Sequence, residues 1–314
     1  MAQMTAPAEV SDMFECFGSS CAVFVSGHGS AGSAEQAVGA GRRRLAVWHT
    51  QFSRFEPASE LALLNADPRA TVPVSPMMAR FAETVAAVGL LTGGVVDATL
   101  VGELEHAGYA THFDSSSVPL AAALPLAPAR RPAGPSPLGG WRELSVDRAA
   151  GTITRPPGLR LDSGGIAKGL FGDVLAVALA GHPSFAIDCG GDIRLGGAAR
   201  LPRVVRVDGP FEDSVLHTFE LVEGAVATSG IGKRSWLGAD GRPAHHLIDP
   251  ATGEPAFTGI VQVTALAPTG VVAEALAKAA ILAGPEGADA WLPHGGLVVY
   301  DDGSHRTISP TTDS

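Results

Sequence analysis

A glycine-rich turn near the middle of the chain has the residue types needed to bind an anionic phosphate group. Its sequence is LDSGGIAKG, and its candidate ligand residues are Asp162, Gly164, Gly165, Ala167 and Lys168. Glycines let the backbone approach an anion closely, helix N-terminal amides favour negative charge, and a lysine adds a positive charge. Because isolated glycine-rich turns are weak signals, this motif taken alone favours an ordinary strand-to-helix turn with a solvated lysine.

A second pair of glycines ends a short apolar segment further along the chain. In the sequence AIDCGGDI, Gly190 and Gly191 are followed by Asp192. The two glycines again permit close approach of a ligand. Asp192 either binds a hydroxyl group or closes a turn, and taken alone the pattern favours the turn.

Two polar segments between residues 226 and 253 offer hydroxyl groups and an imidazole. In VATSG we expect a loop whose Thr228 and Ser229 hydroxyls can donate to phosphate or flavin oxygens. In AHHLIDPATG, His246 and Asp249 are three residues apart. A histidine titrates near neutral pH and can accept a proton from an attacking hydroxyl group. A structural histidine beside a common Asp-Pro turn is the alternative.

The segment VVAEALAKAAIL is apolar nearly all round, which predicts a buried helix. Its only charged residues are Glu274 and Lys278, which are four residues apart and share one face of the helix. An exposed i,i+4 ion pair is the ordinary explanation. Two charges on an otherwise apolar helix are costly unless they face a polar site, so a functional role is favoured here.

Four elements must position these motifs. The pattern predicts a strand over residues 152–161 and a helix that begins after Gly165 and ends at Leu179. A short strand over Ser184–Asp188 leads into the second glycine pair, and the apolar helix runs from about residue 271 to 283. Helices and strands alternate without a regular βαβ repeat, which favours an α+β fold over a doubly wound sheet.

Two segments lack the pattern of an ordered core. Residues 1–14 are predicted to be a loose tail, and residues 15–314 a single domain. Within that domain, residues 115–140 contain six prolines among alanine, serine, glycine and arginine. Such a composition cannot form the interior of a helix or sheet, so we interpret this stretch as a surface insertion or linker.

Composition and charge exclude several classes of protein. With 46% hydrophobic and 17% charged residues the chain is expected to be ordered, and a net charge of −10 disfavours nucleic-acid binding. No apolar run is long enough to predict a membrane-spanning helix, and the first 17 residues lack the cationic start and apolar middle of a signal peptide. The three cysteines fit neither a zinc site nor a disulfide framework, so a reducing, cytoplasmic location is expected.

Taken together and in this order, the four motifs resemble those of the FAD:protein FMN transferase (ApbE-type) family. Two earlier segments agree, FSRFEPASEL with Asn65, and GGVVDATL with Leu104 and Ala107–Tyr109. The resemblance spans roughly residues 17 to 284. It implies an ApbE-like, T-fold-related α+β fold with mixed sheets and packed helices. It also implies an enzyme that, with Mg²⁺, transfers FMN from FAD to a Thr or Ser hydroxyl of an acceptor protein and releases AMP.

The resemblance further implies roles for individual residues. His246 matches the family's essential histidine and would deprotonate the acceptor hydroxyl, while Asp249 would support its loop. The carbonyl of Ala167 and the carboxylate of Glu274 would be metal ligands. The implied FAD-binding residues are Asp162, Gly164, Gly165, Ala167, Lys168, Gly190, Gly191, Asp192, Thr228, Ser229, His246 and Asp249.

One departure from the family pattern concerns the metal. Where the family's helix carries an Asp and, four residues later, a Thr, this chain has Glu274 and Lys278. Glutamate can bind Mg²⁺ through oxygen, but a charged ammonium group has no lone pair to offer. Either Lys278 takes the metal's place at the diphosphate and acts in catalysis, giving little or no dependence on Mg²⁺, or the chain has lost transfer activity and binds or slowly hydrolyses FAD.

Overall fold

The computed structural model describes residues 8–30, 32–111, 118–238 and 241–311. The strands are β1 (Glu9–Cys16), β2 (Ser19–Ser26), β3 (Thr71–Pro73), β4 (Ser145–Asp147), β5 (Thr152–Thr154), β6 (Ser184–Cys189), β7 (Asp192–Gly196), β8 (Arg203–Asp208), β9 (Val215–Leu221), β10 (Gly224–Gly230), β11 (Ser235–Leu237), β12 (Pro243–His245), β13 (Ile260–Ala267), β14 (Gly296–Tyr300) and β15 (His305–Ile308). The helices are α1 (Ala34–Gln51), α2 (Glu60–Ala66), α3 (Pro76–Leu91), α4 (Val101–His106), α5 (Leu120–Ala123), α6 (Ala167–Leu179) and α7 (Gly270–Gly287).

One large antiparallel sheet organises the molecule. Its eight strands lie in the order β1-β2-β6-β7-β10-β13-β14-β15. Strand β2, which precedes the proline-rich segment in the chain, pairs with β6, which follows it, and places Cys21 opposite Cys189. Smaller sheets are formed by β3-β5-β4, by β8-β9 and by β11-β12. This mixture of an antiparallel sheet with packed helices is the predicted α+β arrangement.

Serine residues define where three helices begin. Ser33, Ser59 and Ser75 each accept a hydrogen bond from the backbone amide three residues later, at the starts of α1, α2 and α3. Such caps satisfy amides that have no partner inside the helix. Within the described ranges, none of the helices combines the length and the apolar character needed to cross a lipid bilayer.

Helices and strands enclose two apolar clusters. Helices α1, α3 and α6 pack with β2 and β6 around the first cluster, which includes Leu45, Phe81 and Phe171. Helix α7 packs on β10 and β13 in the second cluster, through Ala273 and Ala277. Because the facing residues are small, the helix backbone can approach the sheet closely. The buried helix predicted over 271–283 is confirmed, extended to Gly270–Gly287 with a break at Gly284.

The first turns of α6 and α7 touch and cap each other. An added Cβ on Gly169 would lie 2.5 Å from the carbonyl oxygen of Gly270, so only glycine fits this crossing. Glu274 of α7 accepts a hydrogen bond from the Gly169 amide of α6 at 2.8 Å. In return, Asp173 of α6 accepts from the Gly270 amide at 2.7 Å. The two helix N-termini are therefore held together by carboxylates that each helix supplies to the other.

Three predicted elements need correction. Residues 9–14 of the predicted tail form β1, an edge strand in which Val10 and Phe14 pack on the first cluster; residues 1–7 lie outside the described part. The strand predicted over 152–161 ends at Thr154, because Pro156 and Pro157 cannot continue the ladder. The loop predicted around residues 226–230 is strand β10, whose small residues lie under α7.

The described part of the proline-rich segment, residues 118–140, packs against the second cluster. Leu120 and Leu124 are buried there, and α5 forms a single helical turn. Pro119 and Pro125 stand before or in the first turn of the short helices, where a helix does not need their amides. Backbone bonds also join it to the domain, with the Ala133 amide donating to the Leu282 carbonyl at 2.8 Å.

Candidate active site

The predicted motifs surround one cavity of about 630 Å³. This volume falls within the range of pockets that hold cofactors and small molecules. The walls include the turn before α6, the turn between β6 and β7, strand β10 and one face of α7. Predicted site residues that line it are Asp162, Gly164, Gly165, Ala167, Lys168, Gly190, Gly191, Thr228, Ser229, His246 and Lys278.

The turn before α6 is held in place by Asp162. One carboxylate oxygen accepts a hydrogen bond from the Gly164 amide at 3.1 Å, and the other accepts from Arg54 Nε, also at 3.1 Å. The Arg54 guanidinium lies 4.7 Å from the ring centre of Phe55 and 5.2 Å from that of Tyr109. Because both Asp162 oxygens are engaged, this residue shapes the turn, and Gly164, Gly165 and the start of α6 face the cavity.

The turn between β6 and β7 requires glycine at both central positions. Gly190 and Gly191 have φ angles of 73° and 94°, which side-chain-bearing residues rarely adopt. A Cβ on Gly190 would also lie 2.5 Å from Cβ of Ser19. Gly191 has open space where its side chain would be, so a ligand can lie directly against its backbone.

Strand β10 brings Thr228 and Ser229 to the cavity wall. The Thr228 hydroxyl is hydrogen-bonded to the Thr264 hydroxyl of β13 at 2.8 Å, and the Thr228 amide donates to the Gly191 carbonyl at 3.0 Å. The strand therefore fixes the glycine turn beside it. A hydroxyl pair of this kind retains lone pairs and a proton for a polar ligand.

A lysine on α6 faces the cavity with a carboxylate behind it. Lys168 Nζ lies 2.5 Å from Asp192 Oδ2, and Asp192 is almost completely buried and absent from the cavity lining. Burial lowers the pKa of Lys168, but the charges of Asp192 and Glu274 outweigh that effect and raise the pKa overall. Lys168 therefore stays positively charged at neutral pH.

A second lysine–carboxylate pair lies on α7. Lys278 Nζ is 2.9 Å from Glu274 Oε1, and Glu274 Oε2 accepts a hydrogen bond from the Gly169 amide at 2.8 Å. The Glu274 side chain is fully buried and the Lys278 side chain is 9% exposed. Burial raises the pKa of Glu274, and the charge of Lys278 opposes that rise. Only Lys278 of this pair reaches the cavity lining.

The imidazole of His246 lines the same cavity. Burial, with the positive charges of Arg234 and Lys278 and the nearby His245, holds its pKa well below the usual range. Its Nδ1 lies 3.4 Å from the Arg234 carbonyl oxygen. With the proton on Nδ1 donated to this carbonyl, Nε2 keeps a free lone pair. The geometry therefore presents a neutral imidazole that can accept a proton.

The neighbouring His245 is buried and makes the protein sensitive to acid. Its Nδ1 accepts the Leu247 amide at 3.2 Å, and burial lowers its pKa to about 3. In the unfolded chain the pKa of this histidine is about 6.5. Below that pH the unfolded chain therefore binds a proton that the native state does not bind. The stabilising effect of a neutral His245 is therefore complete above that pH and is lost as the pH falls.

We expect the buried His245 to lower the free energy of unfolding by about 2 kcal/mol when the pH falls from 7 to 5. Urea unfolding at the two pH values should show the wild type losing about that much more stability than His245→Leu. The variant loses the bond to Leu247 at both pH values, so only the difference between pH values is compared. Equal losses for the two proteins would contradict the assignment.

Several cavity residues were not among the predicted ligands. Arg206, Lys233 and Arg234 lie on the lining and add positive charge. Asp97 also lines the cavity; Thr99 donates to its Oδ1 at 2.6 Å, whereas its buried Oδ2 accepts no hydrogen bond from the described residues. Asp97 stands inside the GGVVDATL segment, which is the sequence signal that marks it. The three cationic residues carry no comparable signal.

Three predicted ligands lie behind the cavity wall. Asp192 and Glu274 face the two lysines, as described above. Asp249 Oδ1 accepts hydrogen bonds from the Gly134 and Ala251 amides, each at 3.0 Å. This carboxylate therefore joins the His246 loop to the proline-rich segment. These carboxylates support the residues that reach the cavity, and their position does not favour direct binding of a nucleotide.

Comparison with known proteins identifies relatives of this chain. The sequence profile of the ApbE family matches residues 17–300. The FAD:protein FMN transferase of Vibrio cholerae serotype O1 is 36% identical over 136 residues, which is 41% of this chain and 40% of that protein. The FAD:protein FMN transferase of Treponema pallidum is 34% identical over 143 residues, covering 41% and 39%. The aligned part thus spans about 40% of these relatives' length.

Solved structures show the same fold over nearly the whole chain. The apbe protein of Thermotoga maritima has a TM-score of 0.75 and 25% identity, and covers 96% of this chain and 97% of its own. The flavinyl transferase ApbE of Pseudomonas stutzeri, apo form, has a TM-score of 0.76 and 21% identity, with 98% and 96% covered. The predicted ApbE-like α+β fold is thereby confirmed.

Proposed function

We propose, from the premise that this chain belongs to the ApbE family, that it transfers FMN from FAD to a Thr or Ser hydroxyl of an acceptor protein and releases AMP. The observation that carries the proposal is the lining of one cavity. It brings the ammonium groups of Lys168 and Lys278 together with the neutral imidazole of His246. Two fixed cations suit a diphosphate, and a neutral imidazole suits a hydroxyl that must lose its proton.

The reaction is a phosphoryl transfer whose atoms balance without a further reactant. The acceptor oxygen forms a bond to the phosphorus of the FMN half of FAD. The bond from that phosphorus to the bridging oxygen breaks, and AMP leaves with this oxygen. The hydroxyl proton passes to Nε2 of His246 and from there to solvent. Such reactions depend mainly on positioning and on neutralising the phosphate charge.

The remaining lining residues divide between the parts of the dinucleotide. Gly164, Gly165 and the N-terminus of α6 suit the diphosphate, because helix N-terminal amides favour anions. Gly191 offers an open backbone surface, and Thr228 and Ser229 lie beside it on β10. We assign this second group to the flavin mononucleotide half of the substrate.

The residues present do not fit a resident Mg²⁺ ion. Mg²⁺ requires several oxygen ligands in octahedral geometry. Both oxygens of Glu274 already accept hydrogen bonds, from Lys278 and from the Gly169 amide. Across the described ranges, no three His, Cys, Asp or Glu side chains come together as metal ligands. The carbonyl of Ala167 by itself would be an incomplete site.

Free thiols are consistent with the proposed cytoplasmic location. All three cysteines of the chain are buried, and none of them is in a disulfide bond. Disulfides are rare where thiols are kept reduced.

The test is a transfer assay with the acceptor protein of the Vibrio cholerae relative. We expect incubation with FAD to raise the intact mass of the acceptor by the mass of one FMN group linked through its phosphate. One AMP should be released for each acceptor molecule that is modified. A variant acceptor in which the modified Thr or Ser is replaced by Ala is the control, and it should gain no mass. FAD binding without AMP release would identify a binding protein instead, and FMN and AMP formed without acceptor would identify a hydrolase.

A further inference from the structure

Two lysine–carboxylate pairs face the cavity with the same orientation. In each pair the lysine lines the cavity, and the acidic residue is buried and absent from the lining. The pairs are Lys168 with Asp192 at 2.5 Å and Lys278 with Glu274 at 2.9 Å. Positive charge is therefore presented to the ligand, and the negative charge that holds it is hidden.

The position of Lys278 prevents a cation from reaching Glu274 from the cavity. Glu274 is fully buried, and its second oxygen is occupied by the Gly169 amide of the adjoining helix. A divalent ion would have to displace Lys278 and leave that ammonium group without its carboxylate. Losing one partner of a buried ion pair is strongly unfavourable.

The Lys278 ammonium also has hydrogen atoms left for a ligand. It carries three donors, and the bond to Glu274 uses one of them. The remaining donors can point to phosphate oxygens, where charge-assisted hydrogen bonds are strong. The charges of the two pairs sum to zero, so the diphosphate's own charge is matched by other lining cations, Arg206, Lys233 and Arg234.

We propose that Lys278, held by Glu274, is a built-in replacement for the divalent cation, so that this protein binds FAD and transfers FMN without Mg²⁺. The inference deepens the proposed function and rests on it. It makes Lys278 a catalytic residue in the sense that its ammonium group touches the diphosphate. Of the two explanations for the unusual pair on α7, it selects the active, metal-independent enzyme.

The test measures FAD binding by quenching of flavin fluorescence, in EDTA and in millimolar Mg²⁺. We expect the Kd of the wild type to differ less than twofold between the two conditions. Lys278→Thr should bind FAD about 10- to 100-fold more weakly in EDTA, because a charge-assisted contact is lost. Mg²⁺ should restore much of that loss, because Glu274 is then free to bind it. Titration of Lys278→Thr with Mn²⁺, followed by electron paramagnetic resonance, should show one site that the wild type lacks.

Lys233→Thr is the matched control, because it removes the same charge from the same cavity, and Lys233 forms no ion pair with a carboxylate among the described residues. It should show no response to Mg²⁺ and no Mn²⁺ site. Glu274→Asp combined with Lys278→Thr should show the greatest dependence on Mg²⁺. Circular dichroism establishes that each variant is folded, and the wild-type measurement stands even where a variant is not.

The outcomes separate this inference from the proposed function. A wild-type Kd that falls more than tenfold on adding Mg²⁺ overturns the inference, even if FMN transfer is observed. An Mg²⁺-independent Kd with no FMN transfer to any acceptor overturns the proposed function and the catalytic part of the inference, and leaves Lys278 as a phosphate-binding residue. Absence of the Mn²⁺ site in a folded Lys278→Thr also counts against the replacement.

Discussion

His246→Asn should lower the rate of FMN transfer by about 10²- to 10⁴-fold, the usual contribution of a general base, while FAD affinity changes only a few fold. Asparagine can still donate to the Arg234 carbonyl that His246 Nδ1 faces. What it removes is the nitrogen lone pair that accepts the hydroxyl proton in the proposed reaction. Transfer reactions with saturating FAD, quenched at timed intervals, give the rate of FMN transfer, and quenching of flavin fluorescence gives the affinity for FAD.

His294→Asn is the control for this change, because His294 is exposed and lies outside the cavity lining. It should leave the rate unaltered. The pH profile gives an independent check, because the neutral imidazole is the active form in the proposed reaction and burial holds its pKa well below the usual value of 6.5 in the free protein. The value of kcat/KM should therefore stay level as the pH falls past 6.5 and decrease only at more acidic pH. A decrease centred on 6.5 or above would identify another group as the base.

Glu274→Leu should reduce the free energy of unfolding by about 3–5 kcal/mol, the typical cost of removing one partner of a buried ion pair. The variant leaves Lys278 without its carboxylate and also removes the acceptor of the Gly169 amide. The double variant with Lys278→Leu should recover much of the loss, because two apolar side chains replace two charges. Urea unfolding at pH 7 measures all three proteins.

An exposed ion pair provides the comparison for this prediction. Arg200 and Glu223 are 2.8 Å apart, with side chains 66% and 56% exposed. Glu223→Leu should change the unfolding free energy by less than about 1 kcal/mol, because water screens such pairs. If Glu274→Leu were as mild as Glu223→Leu, the pair on α7 would not be the tightly held buried unit described here.

The sequence predicts elements that carry their own periodicity better than elements that are defined by their partners, and the reason is packing. Amphipathic or fully apolar periodicity marks α6 and α7 without reference to any other part of the chain. Strand β10 has the sequence GAVATSG, which is typical of a loop. It is a strand because β7 and β13 pair with it and α7 covers it, and those partners are distant in the chain.

The candidate site is likewise only partly predictable from the sequence. Glycine turns, a histidine and two lysines have recognisable local patterns, and the structure brings them to one cavity. Local patterns do not show that Asp192 is hidden behind Lys168, because the two residues belong to different elements. Nor do they show that Arg54 supports the first turn through Asp162, since 108 residues separate the two.

The exchange of caps between α6 and α7 has a consequence for protein synthesis. The Gly169 amide obtains its acceptor only when Glu274, 105 residues later, has been made. At ribosomal speeds of about 5–20 residues per second, this delay is roughly 5–20 s. During that time the first glycine turn is present in the nascent polypeptide but the wall formed by α7 is missing. An incomplete translation product therefore lacks one wall of the cavity until α7 has been made and has packed against α6.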